Sequence, residues 1–153
     1  LTIAIENQHM LEEMGFKNSR DCLGYRVIVK NIERIGDHAV TLAQDAIDIK
    51  KPIKGKIMTS IEKMNEFALT AIDNTCLALF KNDYLEAENA ISESSKIKKY
   101  EDDVLKALDQ SKNSAEVFRV RRIAENIRRI AEYASDIGEI VLNMNIEKVT
   151  KKD

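Results

Sequence analysis

The sequence has few residues that break helices or form tight turns. Its 153 residues include 5 glycines, 1 proline and no tryptophan, and aromatic residues make up 5%. So few chain breakers leave little room for hairpins or a β-sandwich, and this favours an all-helical protein. One domain is expected at this length, and a chain that is 44% apolar is too apolar to be disordered.

An excess of charge of one sign is also missing. The 24 basic and 26 acidic residues leave a net charge of −2, which gives no general attraction to nucleic acid or anionic lipid. No apolar run approaches the ~20 residues of a membrane span, and no signal peptide is visible. Because the chain begins at Leu1 and not at Met, we expect it to be part of a longer protein.

The cysteines are few and widely separated. Cys22 and Cys76 share no metal-ligand spacing. Both lie among apolar residues, so we expect reduced thiols in the core of a cytoplasmic protein.

What the sequence does contain is helical periodicity from end to end. The apolar spacing predicts five helices, over about 1–14, 19–50, 57–80, 84–108 and 115–144. The predicted N-caps are Asn18 or Ser19 for the second helix, Asp83 for the fourth, and Asn113 or Ser114 for the fifth. Four long helices with short connections favour an up-and-down antiparallel bundle.

Two of the predicted helices are copies of each other. Residues 26–39 align with residues 121–134 at an offset of 95, with seven of fourteen positions identical. This is an internal duplication with a long period. It predicts an incomplete first repeat over 1–52 and a complete three-helix repeat over 53–153. The predicted apolar stripe of the first copy is Tyr25, Ile28, Ile32, Ile35, Ala39, Leu42, Ala46 and Ile49.

One acidic pair lies on the first of these two copies. Glu33 and Asp37 are one helical turn apart, so both carboxylates leave the same face. Such a pair can hold a divalent or trivalent metal when a facing helix adds more oxygens. The alternative is a solvated face on which Lys30 and Arg34, each three positions before an acid, pair with these carboxylates.

The same segment contains a glycine within the helix and a histidine, and each needs a structural or functional explanation. Gly36 lies in the middle of a helix at a cost of about 1 kcal/mol relative to Ala, so we expect a close helix approach there. His38 could ligate metal or act as a proton switch. We expect instead a partly buried ring that fills a gap between helices.

The sequence resembles the PhoU family of phosphate-signalling regulators. The resemblance lies in "YRVIVKNIERIGDHAVTLAQ" (25–44), in its degenerate copy at 120–139, and in "ALFKNDYLEAENAI" (78–91). It implies two three-helix bundles in tandem. It also implies paired acid-x-x-x-acid motifs on facing helices that bind multinuclear iron or another metal.

Transfer of the family's metal motif to this chain shows a departure. Glu33 and Asp37 match one half of it, while the helix that would carry the other half is largely absent. In the second copy the matching positions are Arg128 and Glu132, and the facing positions are Ser94 and Lys98. We therefore expect iron or another metal at the first repeat only, completed by a missing helix or a second subunit, and ion pairs in the second.

The resemblance implies a non-enzymatic regulator of phosphate uptake. It would contact a phosphate transporter ATPase or a sensor protein, and a homodimer would complete the first bundle. One alternative is the effector or dimerisation half of a transcription regulator whose DNA-binding domain precedes Leu1. Another is a ferritin-like metal enzyme, which needs acidic ligands on several helices. No Gly-rich phosphate loop or nucleophile elbow supports catalysis, and we expect no direct binding of nucleic acid.

Overall fold

The structure is built from helices that pack side by side. The computed structural model describes residues 8–16, 18–49, 51–109 and 113–150. These ranges contain no strand, and no helix within them is apolar over a long enough stretch to cross a membrane. The prediction of an all-α antiparallel bundle is confirmed. The helices are α1 (Gln8–Glu13), α2 (Ser19–Ile47), α3 (Gly55–Lys81), α4 (Tyr84–Ser94), α5 (Ile97–Leu108) and α6 (Ser114–Thr150).

The predicted start signals set the helix boundaries. The side-chain oxygens of Asn18, Asp83 and Asn113 each accept hydrogen bonds from backbone amides two or three residues onward. These bonds satisfy donors that a helix start otherwise leaves free. Gly15, with a φ of 81°, follows α1 as a left-handed C-cap. Residues 1–7 of the predicted first helix lie outside the described residues.

The prediction of one continuous fourth helix over 84–108 is wrong. The structure has two helices there, α4 and α5, separated by a turn at Ser95 and Lys96. Ser94 Oγ donates to the carbonyl of Ala90 at 2.7 Å, and Ser95 Oγ donates to the carbonyl of Ser92 at 2.7 Å. These hydroxyls compete for helix carbonyls and so favour a bend. The apolar stripe also weakens at this point.

Helix α6 is the centre of the bundle. Helix α2 packs along one side of it, while α3, α4 and α5 pack along the other, and α3 also packs against both α4 and α5. The larger core lies between α3, α5 and α6, and a smaller one joins α2, α3, α4 and the later part of α6. Met64, Val104, Val120 and Ile127 are each at most 1% exposed, which at tens of Å² per side chain makes them major contributors to stability.

The two cysteines differ in their surroundings. Cys22 is buried as expected, beside Leu11 and Phe16. The expectation that Cys76 is a core thiol is wrong, because this residue lies on an exposed part of α3. Helix α3 buries the stripe that includes Ala71, Thr75 and Ala78, and Cys76 falls one position outside it.

Candidate functional site

Helices α2 and α6, the two copies, pack on each other in antiparallel orientation. Near one end, a Cβ added at Gly24 would lie 2.8 Å from the sulfur of Met144. At the other end, Asp45 pairs with Arg122. The positions of α2 that turn toward α6 recur at steps of four and three, as in a heptad seam. They are Gly24, Ile28, Asn31, Ile35, His38, Leu42 and Asp45, and Ile49 continues the spacing just after the helix ends.

A partly buried network of polar side chains crosses this contact. Asp45 is 4% exposed, and its carboxylate lies 2.9 Å from Nη2 of Arg122. The amide nitrogen of Asn126 donates to Asp45 at 3.4 Å, and Nδ1 of His38 donates to the amide oxygen of Asn126 at 2.8 Å. The ring of His38 stacks on Tyr133 with centroids 5.6 Å apart. This confirms that His38 fills a gap between helices.

A second heptad stripe on α2 lies beside this contact and is exposed. Tyr25, Val29 and Ile32 are 42%, 64% and 53% exposed. Gly36, Ala39, Ala43 and Ala46 continue the stripe and are exposed as well. Half of the predicted apolar stripe of α2 therefore does not pack within the described residues: Tyr25, Ile32, Ala39 and Ala46 belong to this second stripe. We call these seven residues the open stripe.

The same stripe on α6 is completely buried. At the offset of 95, the seven positions of the open stripe correspond to positions that α3, α4 and α5 cover. All seven are buried: Val120, Ala124, Ile127, Ala131, Ala134, Gly138 and Val141. The two copies thus carry the same apolar pattern, but among the described residues only α6 has neighbours on both faces.

Gly36 lies in the middle of the open stripe. A Cβ added there would meet no heavy atom within 4 Å. The expected close helix approach at Gly36 is therefore not made within the described residues. Val40 and Ile47, 71% and 76% exposed, widen the apolar face on one side.

The acidic pair predicted to bind metal lies at the edge of this face. Glu33 and Asp37 are both exposed, and Glu33 pairs with Nζ of Lys30 at 2.9 Å. Arg34 lies over the ring of Tyr133 at 5.4 Å, away from Asp37. Within the described residues no three side chains of the metal-ligating types come together. The pair alone therefore does not make a metal site, and another element would have to add ligands.

Ion pairs occupy the corresponding positions of the second copy. Nε of Arg128 lies 3.1 Å from Glu101 on α5, and Nη1 of Arg128 also pairs with Glu132. The i,i+4 pair of Arg128 with Glu132 was expected from the sequence. The partner across the helix interface, Glu101, was not, because only the packing of α5 on α6 brings it near.

Sequence reasoning also missed Asp136. This residue lines a depression of about 190 Å³ with Ser94, Lys98 and Glu132. Burial, and then the charge of Glu132, raise the pKa of the Asp136 carboxyl, while Arg34 opposes the shift. The signal was available, since Glu132 and Asp136 repeat the acid-x-x-x-acid spacing one turn after the aligned positions.

Fold and site together define a helical module whose main feature is an apolar helix face, not a cluster of reactive groups. The family model of the PhoU domain matches residues 61–141. Because the match covers more than half of the chain, the protein belongs to the PhoU family, a family of non-enzymatic regulators of phosphate homeostasis. The matched range runs from α3 through α6, and α2 precedes it. No curated protein and no solved structure matches the chain.

Proposed function

We propose that this chain is a cytoplasmic, non-enzymatic regulator of phosphate uptake that acts by protein contact through the open stripe of α2. The observation that carries the proposal is the exposure of seven positions whose counterparts on α6 are all buried. Removal of apolar surface from water drives helix faces together, and contiguous exposed apolar surface marks interaction sites. A phosphate transporter ATPase or a sensor protein is the regulated partner.

The proposed occupant of the open stripe is a second copy of the chain. Along the outer edge of the stripe, Arg26 and Lys30 come first and Glu33 and Asp37 follow. In an antiparallel pair of α2 helices, the basic half of one faces the acidic half of the other, whereas a parallel pair sets like charges together. The contact of α2 with its copy α6 is also antiparallel, which supports this arrangement.

Sedimentation velocity tests the dimer. We expect the wild-type chain to be dimeric and Ile32→Glu to be monomeric with unchanged helix content. Phe80→Glu is the matched control, since Phe80 is 84% exposed on α3, outside the open stripe. A wild-type chain that stays monomeric at high concentration, or an Ile32→Glu variant that still dimerises, would contradict the proposed occupant.

Phosphate uptake tests the regulatory role. In cells of the source organism that lack the chain, we expect the wild type and Phe80→Glu to restore repression of uptake at high phosphate. Ile32→Glu should fail, because the contact surface is lost while the fold remains. Protection of promoter DNA by the full-length protein, with no effect on uptake, would instead support a transcription regulator with a DNA-binding domain before Leu1.

We also propose a metal role for Glu33 and Asp37, restricted to an assembly in which a facing helix adds ligands. The double variant Glu33→Ala/Asp37→Ala separates this role from charge pairing across the dimer. If the purified wild type binds iron or another metal and the double variant does not, the pair is identified as ligands. Unchanged metal content with a weaker dimer would assign the two acids to pairing alone.

A further inference from the structure

A basic groove runs between the first half of α3 and helix α5. Its volume is about 530 Å³. Two lysines line it from α3, Lys56 and Lys63, and two from α5, Lys99 and Lys106. The chain as a whole carries a net charge of −2, so four ammonium groups around one groove are a local excess and not a reflection of composition.

Three of the four groove lysines form no ion pair within the described part of the chain, and Lys106 pairs with Asp103. Lys30, Lys81 and Lys96 each pair with a glutamate. Among the residues that the structure describes, Lys56, Lys63 and Lys99 have no carboxylate within 4 Å of Nζ, unlike the lysines just named. Like charges that converge without compensation repel one another and attract an anion.

Among the described residues, the acids near the groove form one ion pair with its lysines. Asp103 is the one acid among the described lining residues, and it lies 3.8 Å from Nζ of Lys106. Glu62, Glu66 and Asp102 lie on the same two helices and are exposed. Since none of the three forms an ion pair with a groove lysine in the described part of the chain, the groove keeps an excess of positive charge.

Neutral donors line the same groove. Ser60 is half-buried there, and its hydroxyl has no hydrogen-bond partner among the described residues. Tyr100 stacks on Phe67 with centroids 4.6 Å apart and an interplanar angle of 27°. This contact fixes the ring while its hydroxyl remains available. Hydroxyl groups beside ammonium groups suit phosphoryl oxygens, which accept several hydrogen bonds.

The spacing of the lysines indicates the shape of the anion. Lys56 and Lys63 are seven residues apart, as are Lys99 and Lys106, and seven residues of helix span ~10 Å. Because α3 and α5 are antiparallel, the lysines form two pairs, Lys56 with Lys106 and Lys63 with Lys99. A single phosphate reaches one pair, whereas a linear run of phosphoryl groups reaches both.

We propose that this groove binds an extended polyanion of linked phosphoryl groups, such as an inorganic polyphosphate or the triphosphate of a nucleotide. The proposal goes beyond the contact function of α2 and does not depend on it, because the groove lies on other helices. If the chain proves monomeric, the proposal of anion binding still stands. If no anion binds, the proposal of a dimer still stands.

Isothermal titration calorimetry of the full chain with tripolyphosphate tests the site. We expect saturable binding that weakens as salt rises. The double variant Lys63→Gln/Lys99→Gln should weaken binding about tenfold or more, because two charge-assisted contacts are lost. Lys81→Gln/Lys96→Gln removes the same charge from lysines outside both the groove and the open stripe, and it should change the affinity by less than about twofold. Circular dichroism checks that both variants fold.

The choice of ligands sharpens the outcome. Orthophosphate should bind at least about tenfold more weakly than tripolyphosphate, since it spans one lysine pair. Equal affinity for tripolyphosphate and ATP would show that the groove recognises the phosphoryl chain alone. Tighter binding of one of them would identify the ligand as an inorganic polyphosphate or as a nucleoside triphosphate. Absence of tripolyphosphate binding at low salt, or equal weakening by the two double variants, would overturn the proposal.

Discussion

Helices α2 and α6 are two copies of one segment with different surroundings. They contact each other through the same heptad positions, and each carries a second apolar stripe beside that contact. On α6 the second stripe is covered by α3, α4 and α5, and on α2 it is open. The comparison shows that a heptad pattern determines which face of a helix is apolar, while the neighbours decide whether that face is buried.

The largest expected effect on stability comes from replacing equivalent alanines of the two stripes with glutamate. Ala134 is 1% exposed on α6, and its counterpart Ala39 is exposed on α2. Ala134→Glu should lower the free energy of unfolding by about 3–5 kcal/mol, because it buries an unpaired charge. Ala39→Glu should change it by less than about 0.5 kcal/mol in dilute monomer. Urea denaturation at low protein concentration measures both, and equal losses would refute the difference between the stripes.

A smaller effect is expected at the ion pairs. The side chain of Arg128 is 18% exposed and that of Glu101 is 23% exposed. Arg128→Gln should cost about 1–2 kcal/mol, because it leaves the partly buried Glu101 without its partner and removes one of the two arginines that pair with Glu132. At the equivalent position on α2, Glu33→Gln should cost less than about 0.5 kcal/mol, since the pair with Lys30 is exposed. A double-mutant cycle of Arg128 with Glu101 that shows no coupling would contradict this assignment.

Replacing a glycine with alanine should change the stability of the fold in opposite directions in the two stripes. Gly36→Ala should stabilise the dilute monomer by about 1 kcal/mol, because the added methyl meets nothing and favours the helix. At Gly138 on α6 the methyl would lie 3.1 Å from Cγ1 of Ile91. Gly138→Ala should therefore be destabilising, since overpacking at about 1–3 kcal/mol exceeds the gain in helix propensity. Thermal unfolding curves that move the same way for both variants would contradict this prediction.

The smallest expected effect concerns Asp136 and depends on pH. Its pKa is raised in the folded protein by burial and by Glu132. A raised carboxyl pKa means that the folded state binds this proton more tightly, so ionised Asp136 destabilises the fold above that pKa. Asp136→Asn should raise the melting temperature slightly at neutral pH, and the gain should shrink as pH falls below the folded pKa and vanish below the pKa of the unfolded chain.

The matched control for this prediction is Asp37→Asn on α2. Both carboxyls are exposed, but Asp136 lines the depression beside Glu132 and Asp37 does not, so the amide variant of Asp37 should change stability by less than about 0.5 kcal/mol at neutral pH. A gain at Asp136 that persists in acid would show that its charge is not the cause.

Local signals predicted much of the fold. The caps at Asn18, Asp83 and Asn113 are short-range hydrogen bonds between neighbours in the chain, so residue type and position suffice to predict them. The break between α4 and α5 was harder to predict. Serines occur within many continuous helices, and here their hydroxyls act together with the packing of both segments on α3 and α6.

The candidate sites were predicted only in part. The acidic pair Glu33 and Asp37 follows from spacing on one helix, and its metal role stays a prediction. Glu101 opposite Arg128, and the groove lysines on α3 and α5, come together only when separate helices pack. The spacing of residues along one helix predicts which side chains of that helix are neighbours, but not which residues of another helix pack against them.

The amino-acid sequence by itself determined the helices, their caps, the duplication and the apolar faces of both copies, because each depends on interactions between residues within a few turns of each other. Only the tertiary structure decided that α6 is covered on two faces and α2 on one. It also decided that Arg128 meets Glu101 and that four lysines share one groove. These contacts join residues far apart in the chain, and close packing selects among the many pairings that similar apolar stripes allow.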